Sequence, residues 1–322
     1  TLIWIGAIMT AFPVFFAVIE NDLRRVLSFS LNNQLGFMVV GIGIGTELSL
    51  NGTVAHAFVH IIYKALLFMS MGAVLHRVGT TKASELGGLY KYMPLTTIFC
   101  IIGAMSISAF PLFSGFVAKS LIMSALGGQG LILIYFVLFF ASAGVLEHSG
   151  IKIPYFAFFA HERKTKVKEA PLNMLIAMGV AAFLCIGIGV YPKYLYSILP
   201  YSVDYQPYTI DHVISQLQLL VFAILAFLFL VKFKLYPSEI KSTVLNSDWI
   251  YRKMLPGIGK PLFKNLQKII IKFYDLLSIL FDLILGRSKK FANSSYIKVT
   301  TPGFAGLLMI TILFIMLVIA VI

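Results

Sequence analysis

Three titratable side chains recur at intervals of four residues within one apolar stretch of the sequence. His56, His60 and Lys64 lie between Gly52 and Leu75. In a helix, this spacing places all three on one face, with about 6 Å of rise for each step. Histidine exchanges a proton near neutral pH, and water bridges gaps of this size. The pattern predicts a proton relay; the alternative is that the histidines bond to neighbouring helices while the lysine pairs with a carboxylate.

A second lysine follows a predicted helix break. Pro111, Ser114 and Gly115 interrupt an apolar stretch, because proline lacks a backbone donor and glycine relaxes the backbone. Lys119 stands just beyond this break. Broken helices within membranes present unpaired carbonyls and amides that hold water or ions. We therefore predict that Lys119 joins the proton path, the alternative being a lysine that extends to the membrane interface.

Acidic residues at two stretch ends are further candidates. Glu20 and Asp22 close the first apolar stretch, where a helix cap with an internal ion pair is the favoured interpretation. Glu147 and His148 end the fifth stretch beside Lys152, and a transport role and an interfacial cluster are both open. We keep Glu20, Glu147 and His148 as accessory candidates for proton transport.

We predict that most of the chain is surrounded by lipid. Of the 322 residues, 59% are hydrophobic and 12% are charged, whereas a water-soluble domain carries about a quarter charged residues. Eight apolar stretches are long enough to cross a hydrocarbon core of about 30 Å as helices. They are Leu2–Ile19, Gln34–Leu50, Gly52–Leu75, Leu95–Leu126, Leu131–Leu146, Leu172–Tyr191, Val213–Val231 and Gly303–Ile322. We predict an all-α polytopic membrane protein with about eight transmembrane helices.

The basic residues predict the orientation of the chain. Its formal net charge is +13, but the basic side chains are spread over loops between apolar stretches, so nucleic acid is not a predicted partner. If alternate loops face the cytoplasm, ten basic residues fall on that side and only Lys193 on the other, leaving out the basic segment after Val231. The ten are Arg24, Arg25, Arg77, Lys82, Lys91, Lys152, Arg163, Lys164, Lys166 and Lys168. This bias requires that Leu95–Leu126 cross once, as a discontinuous helix, and it predicts an inner (plasma) membrane protein with cytoplasmic basic loops.

The C-terminal part has a different pattern. Pro261–Arg287 is apolar on most faces but carries a charged stripe at helical spacing, which is typical of an amphipathic helix in the cytoplasmic interface. A membrane crossing by this segment is the alternative. We divide the chain into a transport module, residues 1–191, and an extension, residues 192–322, which holds two transmembrane helices and the lateral helix at about 261–287.

Cofactor and metal chemistry find no support in the sequence. Cys100 and Cys185 lie in apolar stretches, where a thiol is usually a packing residue. There is no strand-bounded Gly-x-Gly-x-x-Gly loop and no cysteine cluster. We predict no cofactor and no metal in this chain. Because it begins with Thr1 inside an apolar run, we expect a further segment to precede it.

Three segments carry patterns of one known family. Asn21–Ser30 reads N-D-L-R-R-V-L-S-F-S and is followed by Gln34-Leu35-Gly36; His56–Phe68 reads H-A-F-V-H-I-I-Y-K-A-L-L-F; Pro111–Lys119 reads P-L-F-S-G-F-V-A-K. Together they resemble the antiporter-like subunits of NADH-quinone oxidoreductase, Mrp antiporters and membrane hydrogenases. With the spans between them, the motifs cover about residues 1–191.

That resemblance implies a fold of two inverted five-helix repeats, each with a broken helix. It implies that Lys64 is the central proton carrier, that His56 and His60 are its relay, and that Lys119 lies near the exit half-channel. The family's first repeat, with its glutamate and lysine, is absent from this sequence. A lateral helix also occurs in the distal subunit of complex I, but the one predicted here is much shorter.

Three functional hypotheses follow. Glu147–Phe156 looks more like the Mrp-type D subunit than the distal complex I subunit, so the first is exchange of a monovalent cation such as Na⁺ for protons, together with other membrane subunits. The second is proton pumping within an NADH-quinone oxidoreductase or hydrogenase complex, with the redox centres in partner subunits. The third is a structural membrane subunit that conducts nothing itself. Neighbouring genes for Mrp subunits or for redox subunits would separate the first two.

Overall fold

The computed structural model describes residues 1–160, 166–236 and 249–285, together with Met309. The chain divides into two compact units, Thr1–Val244 and Leu245–Ile322. All the candidate site residues belong to the first unit. The predicted span Gly303–Ile322 and the basic residues Arg163 and Lys164 lie outside the described residues, apart from Met309.

In the described part of the first unit, the secondary-structure elements are helices and there is no strand, which confirms the all-α class. Its helices are α1 (Leu2–Ile19), α2 (Leu23–Ile44), α3 (Glu47–Val78), α4 (Pro94–Ile107), α5 (Ser114–Gly128), α6 (Ile132–Phe159), α7 (Leu172–Val190), α8 (Lys193–Ser197) and α9 (Ile210–Lys232). Among the described residues, six of these helices are long and apolar enough to cross a membrane. They are α1, α2, α3, α6, α7 and α9.

The predicted second span, Gln34–Leu50, was misplaced. α2 begins much earlier, where the Asp22 carboxylate accepts hydrogen bonds from the backbone N–H groups of Arg24 (2.9 Å) and Arg25 (3.4 Å). It ends at Gly45, whose positive φ of 76° forms a left-handed cap. Apolar content gave the wrong bounds because the middle of α2 carries polar residues that are buried and hydrogen-bonded to other helices.

α4 and α5 together form one broken helix that runs along α3. Gly103 of α4 packs beside Leu67 of α3, whereas Leu121 and Ile122 of α5 pack beside Gly52. Gly52 and Leu67 are about 22 Å apart along α3 at 1.5 Å per residue. The chain therefore continues past the break along α3, where a hairpin would have returned α5 to the level of Leu67.

The sixth helix is longer than the predicted fifth span, which was expected to end at Leu146. α6 continues to Phe159 through two π-helical stretches, Leu146–Ile151 and Tyr155–Phe159. Lys152 is thus a fully buried helical residue and not a loop residue. The prediction ended the span at a charged cluster because it gave those charges no interior partners.

The loop between α7 and α9 is bound closely to the ends of α3 and α5. Asn51 of α3 exchanges two hydrogen bonds of 3.0 Å with the backbone of Tyr201. The hydroxyl of Tyr205 lies 2.9 Å from that of Ser124, and the hydroxyl of Tyr196 donates to the carbonyl of Val117 at 2.8 Å. These bonds fix the start of α9 over α5.

The described part of the second unit contains α10 (Leu255–Leu285), preceded by a π-helical turn, Ile250–Met254. This agrees with the helix predicted for about residues 261–287 as far as Leu285. Its interfacial position and the predicted module boundary after residue 191 stay predictions.

Candidate functional site

The three predicted relay residues are buried together on α3. The side chains of His56, His60 and Lys64 are 0%, 8% and 3% exposed. The rings of His56 and His60 lie with their centroids 6.2 Å apart and nearly perpendicular, at 86°. Among the described residues, Lys64 Nζ, His60 Nε2 and His56 Nδ1 have no hydrogen-bond partner. Buried polar atoms without protein partners are rare and mark positions where water or a proton path is expected.

His56 is held by two polar neighbours. Its Nε2 lies 3.1 Å from Gln34 Oε1 and 2.9 Å from the Tyr63 hydroxyl, which itself donates to Gln34 Oε1 at 3.0 Å. Tyr63 follows His56 by seven residues, so both project from the same face of α3.

A chain of hydrogen bonds from α1 sets the orientation of these groups. Asn33 Nδ2 donates to the backbone carbonyl of Thr10 at 2.5 Å, so Asn33 Oδ1 is the acceptor for Gln34 Nε2 at 2.6 Å. Gln34 Oε1 therefore faces His56 and can only accept. His56 then carries its hydrogen on Nε2, and Nδ1 is left as the atom that accepts a proton.

Lys119 is buried on α5 and contacts the end of the helix before it. Its Nζ donates to the carbonyl of Ile107, the last residue of α4, at 2.8 Å. It also lies 5.2 Å from the centre of the Phe37 ring. The Phe37 ring in turn lies 5.9 Å, centroid to centroid, from the ring of His56. The structure thus brings together all four predicted pathway residues.

The local structure around Pro111, Ser114 and Gly115 explains why the helix breaks there. Ser114, the first residue of α5, bonds to Ser106 of α4 with 2.8 Å between hydroxyl oxygens. A Cβ added at Gly115 would overlap the carbonyl of Ser106, so only glycine fits there. Ala109 and Leu112, on either side of Pro111, have positive φ angles of 56° and 74°. Such angles cost about 1–3 kcal/mol each and cluster at functional sites.

Glu20 lies apart from this line, at the junction of α1 and α2. Its Oε1 accepts from the backbone N–H groups of Asn21 (3.0 Å) and Asp22 (3.1 Å), and its Oε2 lies 3.8 Å from Arg25. This is the cap with an internal ion pair that the sequence favours.

The predicted Glu147–His148 pair points in two directions. Glu147 Oε1 accepts from the Tyr236 hydroxyl at 2.6 Å. His148 is fully buried, and its Nδ1 lies 2.8 Å from Ser149 Oγ, which donates to Ser30 Oγ at 2.9 Å. Of the pair, only His148 is thus connected, through Ser149, to a buried polar residue of α2.

Sequence reasoning missed a third buried lysine. Lys152 Nζ donates to the carbonyls of Val18 (2.6 Å) and Glu20 (2.7 Å), at the end of α1. The signal was available: Lys152 follows His148 by four residues, so helical spacing continues through the cluster. Gln34 and Tyr63 were quoted within motifs but received no role, although Tyr63 shares the helix face of His56.

The described residues contain no group of three or more histidine, cysteine or acidic residues that could hold a metal. Cys100 and Cys185 are both buried and free.

The fold and the site define a polytopic membrane protein whose central helix carries buried, protonatable side chains. Residues 1–145 match the family described as "NADH:quinone oxidoreductase/Mrp antiporter, TM". This part of the chain holds all three sequence motifs, and the match confirms the resemblance to the antiporter-like subunits.

Individual relatives cover different lengths of the chain. NADH-ubiquinone oxidoreductase chain 5 of Talaromyces marneffei is 35% identical over 174 residues, which are 53% of this chain and 25% of that protein. Its counterpart in Podospora anserina is 27% identical over 321 residues, 93% of this chain and 48% of that protein. The chain thus spans between a quarter and half of the length of these curated relatives.

Two solved structures share the fold. A chain of the Mrp complex from a Dietzia species is 23% identical, with a TM-score of 0.55 over 60% of this chain and 45% of that one. A chain of a membrane-bound sulfane sulfur reductase, an archaeal respiratory membrane complex, is 22% identical, with a TM-score of 0.60 over 98% of this chain and 55% of that one.

Proposed function

We propose that this chain is a proton-translocating, antiporter-like subunit of a multi-subunit membrane complex. One observation carries the proposal: a buried line of protonatable side chains on α3 ends at Lys64, whose amine has no hydrogen-bond partner among the described residues. Burying an unpaired lysine in a membrane helix costs about 2.5–3.5 kcal/mol or more. A structural role offers no return for that cost, whereas proton transfer requires an amine that both binds and releases a proton.

The side chains along this line favour protons over metal cations as the ion carried. Hard cations such as Na⁺ are bound by oxygen ligands, typically carboxylates and carbonyls. The pathway side chains His56, His60, Lys64 and Lys119 instead present nitrogen atoms, and the lysines are positive when protonated. Any Na⁺ movement by the assembly therefore requires oxygen ligands elsewhere, in this chain or in a partner subunit.

Exchange of Na⁺ for protons by an Mrp-like assembly is our first candidate for the overall reaction. It rests on the Glu147–Phe156 pattern and on the structural likeness to a chain of an Mrp complex. Redox-driven proton pumping is the second candidate, because the curated relatives are named as chains of NADH-ubiquinone oxidoreductase. In either case, we expect other membrane subunits as partners and the plasma (inner) membrane as the location, with the basic loops on the cytoplasmic side.

Flux measurements on inverted vesicles that contain the whole complex would test this function. A pH gradient is imposed, and Na⁺ or the respiratory substrate is added in separate experiments. Collapse of the gradient by Na⁺ in wild-type vesicles but not with Lys64→Ala supports antiport. Formation of a gradient on substrate oxidation, lost with Lys64→Ala, supports redox-driven pumping. If neither flux depends on Lys64 while the complex is fully assembled, the chain is a structural subunit and the proposal is wrong.

A further inference from the structure

The C-terminal extension contributes side chains to the surroundings of Lys119. A cavity of about 30 Å³ is lined by residues of α2, α5, α6 and α9. Its polar lining consists of Lys119, Ser120, Ser142, His212 and Gln216. About 10–15 Å³ suffices for one water molecule. Lys119 and the first turns of α9 thus share a space with room for a water molecule.

α9 is fixed directly against the broken helix. Gln216 Nε2 donates to the carbonyl of Ser108, the residue that follows α4, at 3.4 Å. The His212 ring stacks on the ring of Phe116 in α5, with centroids 4.6 Å apart and an angle of 18°. Phe116 precedes Lys119 by three residues and therefore lies on the same side of α5.

The hydrogen bond of His212 indicates which of its ring nitrogens carries the hydrogen. His212 Nδ1 lies 2.7 Å from the backbone carbonyl of Pro207. A carbonyl only accepts, so Nδ1 carries the hydrogen and Nε2 presents a lone pair. The side chain is only partly buried, whereas Lys119 is 4% exposed. His212 thus stands between a buried amine and the side of the membrane on which the loop 191–209 lies.

The other polar side chains near Lys119 and His212 are not suited to accept a proton. Serine hydroxyls and the Gln216 amide neither gain nor lose protons near neutral pH. Burial raises the pKa of the Tyr196 and Tyr208 phenols, so both remain protonated donors. His212 is the one side chain of the cavity lining, besides Lys119, that carries a basic nitrogen.

We propose that His212 is the proton acceptor that follows Lys119 and that passes protons from the helix break to the side of the membrane that carries the loop 191–209. The Lys119 ammonium gives a proton to a water in the cavity, and that water gives one to His212 Nε2. One N–H bond breaks at Nζ and one forms at Nε2; the imidazolium then releases its proton to solvent. This inference rests on the proposed function and names the exit step of the same path. It also gives α9, which lies beyond residues 1–145, a part in transport.

Chemical rescue in the assembled complex would test the exit step. With His212→Ala, we expect proton flux to fall by about tenfold or more, at normal abundance of the complex. Imidazole added to the compartment that the loop 191–209 faces should restore much of this flux, because a mobile base replaces the missing one. The same substitution at His76, an exposed histidine of α3, serves as the matched control and should leave flux unchanged.

Each result has a separate meaning. Unchanged flux with His212→Ala, or reduced flux that imidazole does not raise, overturns the exit assignment. Rescue from the opposite compartment alone also overturns it, because His212 would then not face the loop side. These outcomes leave the proposed function intact as long as Lys64→Ala abolishes flux. If Lys64→Ala conducts normally, the proposed function itself fails, whatever His212 does.

Discussion

Buried lysines differ in their hydrogen-bond partners between the middle of α3 and the ends of other helices. Lys64 lies within a continuous helix, where each carbonyl is already bonded to an amide one turn away, and its amine has no hydrogen-bond partner among the described residues. Lys119 donates to the last carbonyl of α4, and Lys152 donates to carbonyls at the end of α1. The same residue type is therefore stabilised at two positions and not at the third.

Helix ends supply hydrogen-bond acceptors in a membrane interior. The last four carbonyls of a helix lack partners and carry the negative end of the helix dipole. A hydrogen bond from a charged donor contributes about 1.5–3 kcal/mol. Helix ends therefore supply acceptors for the amines of Lys152 and Lys119. Lys64 has no such support and is the lysine that we expect to lose and regain its proton most readily.

The largest effect should come from Lys64. We expect Lys64→Ala to reduce proton flux by about a hundredfold or more, because the histidine line then ends without an acceptor. Lys64→Arg should be nearly as poor, since arginine keeps the charge but does not release its proton. Flux in vesicles, normalised to the abundance of the assembled complex, is the measurement.

The exposed Lys232 at the end of α9 provides the matched control. Lys232→Arg should conduct like the wild type. Normal flux in Lys64→Arg would mean that only the positive charge matters. The difference in hydrogen bonding between Lys64 and the other two lysines would then have no bearing on proton transfer.

The next effect concerns Lys119. We expect Lys119→Ala to lower flux by about tenfold and to leave measurable residual transport, because the cavity beside it admits water that carries part of the load. Measuring both alanine variants at equal abundance tests the order. If Lys119→Ala lowers proton flux more than Lys64→Ala, the predicted order is wrong. The hydrogen bond to Ile107 would then not indicate that Lys119 is the less important proton carrier.

A smaller effect on proton flux should distinguish the relay residue His56 from Gln34, which holds it in place. Gln34→Leu removes the acceptor that keeps hydrogen on His56 Nε2 and should slow flux by a few-fold, about 1 kcal/mol in the barrier. His56→Ala should slow it as well. Because Gln34 acts through His56, the double variant should be no slower than His56→Ala alone. Additive losses would assign Gln34 a separate role, such as packing α2 against α3.

Lys152 should affect stability more than transport. Lys152→Met keeps the side-chain length but removes the hydrogen bonds to Val18 and Glu20 at the end of α1. We expect the melting temperature of the purified complex to fall by several degrees, while flux per assembled complex changes by less than about twofold. A loss of flux per complex as large as that of Lys119→Ala would place Lys152 in the pathway.

Much of this site could be predicted from sequence because its signals are local. The four-residue spacing of His56, His60 and Lys64 fixes a helix face, and Pro111 with Gly115 marks the break that α4 and α5 form. Both signals depend on backbone geometry within one segment. The structure placed all of these residues where local geometry requires them.

The rest depended on contacts between distant segments. Lys152 resembled a loop residue because its partners lie at the end of α1, more than a hundred residues away in the sequence. The start of α2 was missed because polar residues of this helix are buried. Asn33 and Gln34 form hydrogen bonds with Thr10 and His56, so their polarity does not mean that they face solvent. His212 lies outside all three motifs, and only the packing of α9 on α5 connects it to Lys119.

The smallest functional effect is expected from a test of the broken crossing, on which the comparison of Lys64 with Lys119 depends. α5 ends at Gly128, where an added Cβ meets no atom within 4 Å, so Gly128→Cys should leave flux unchanged. An impermeant thiol reagent should label this cysteine from the side opposite to Lys82→Cys, because α4–α5 crosses the membrane once along α3. Cys100 and Cys185 are buried and give little background. Labelling of both introduced cysteines from the same side would mean that α4 and α5 form a hairpin, and Lys119 would then not lie on a route between the two membrane faces.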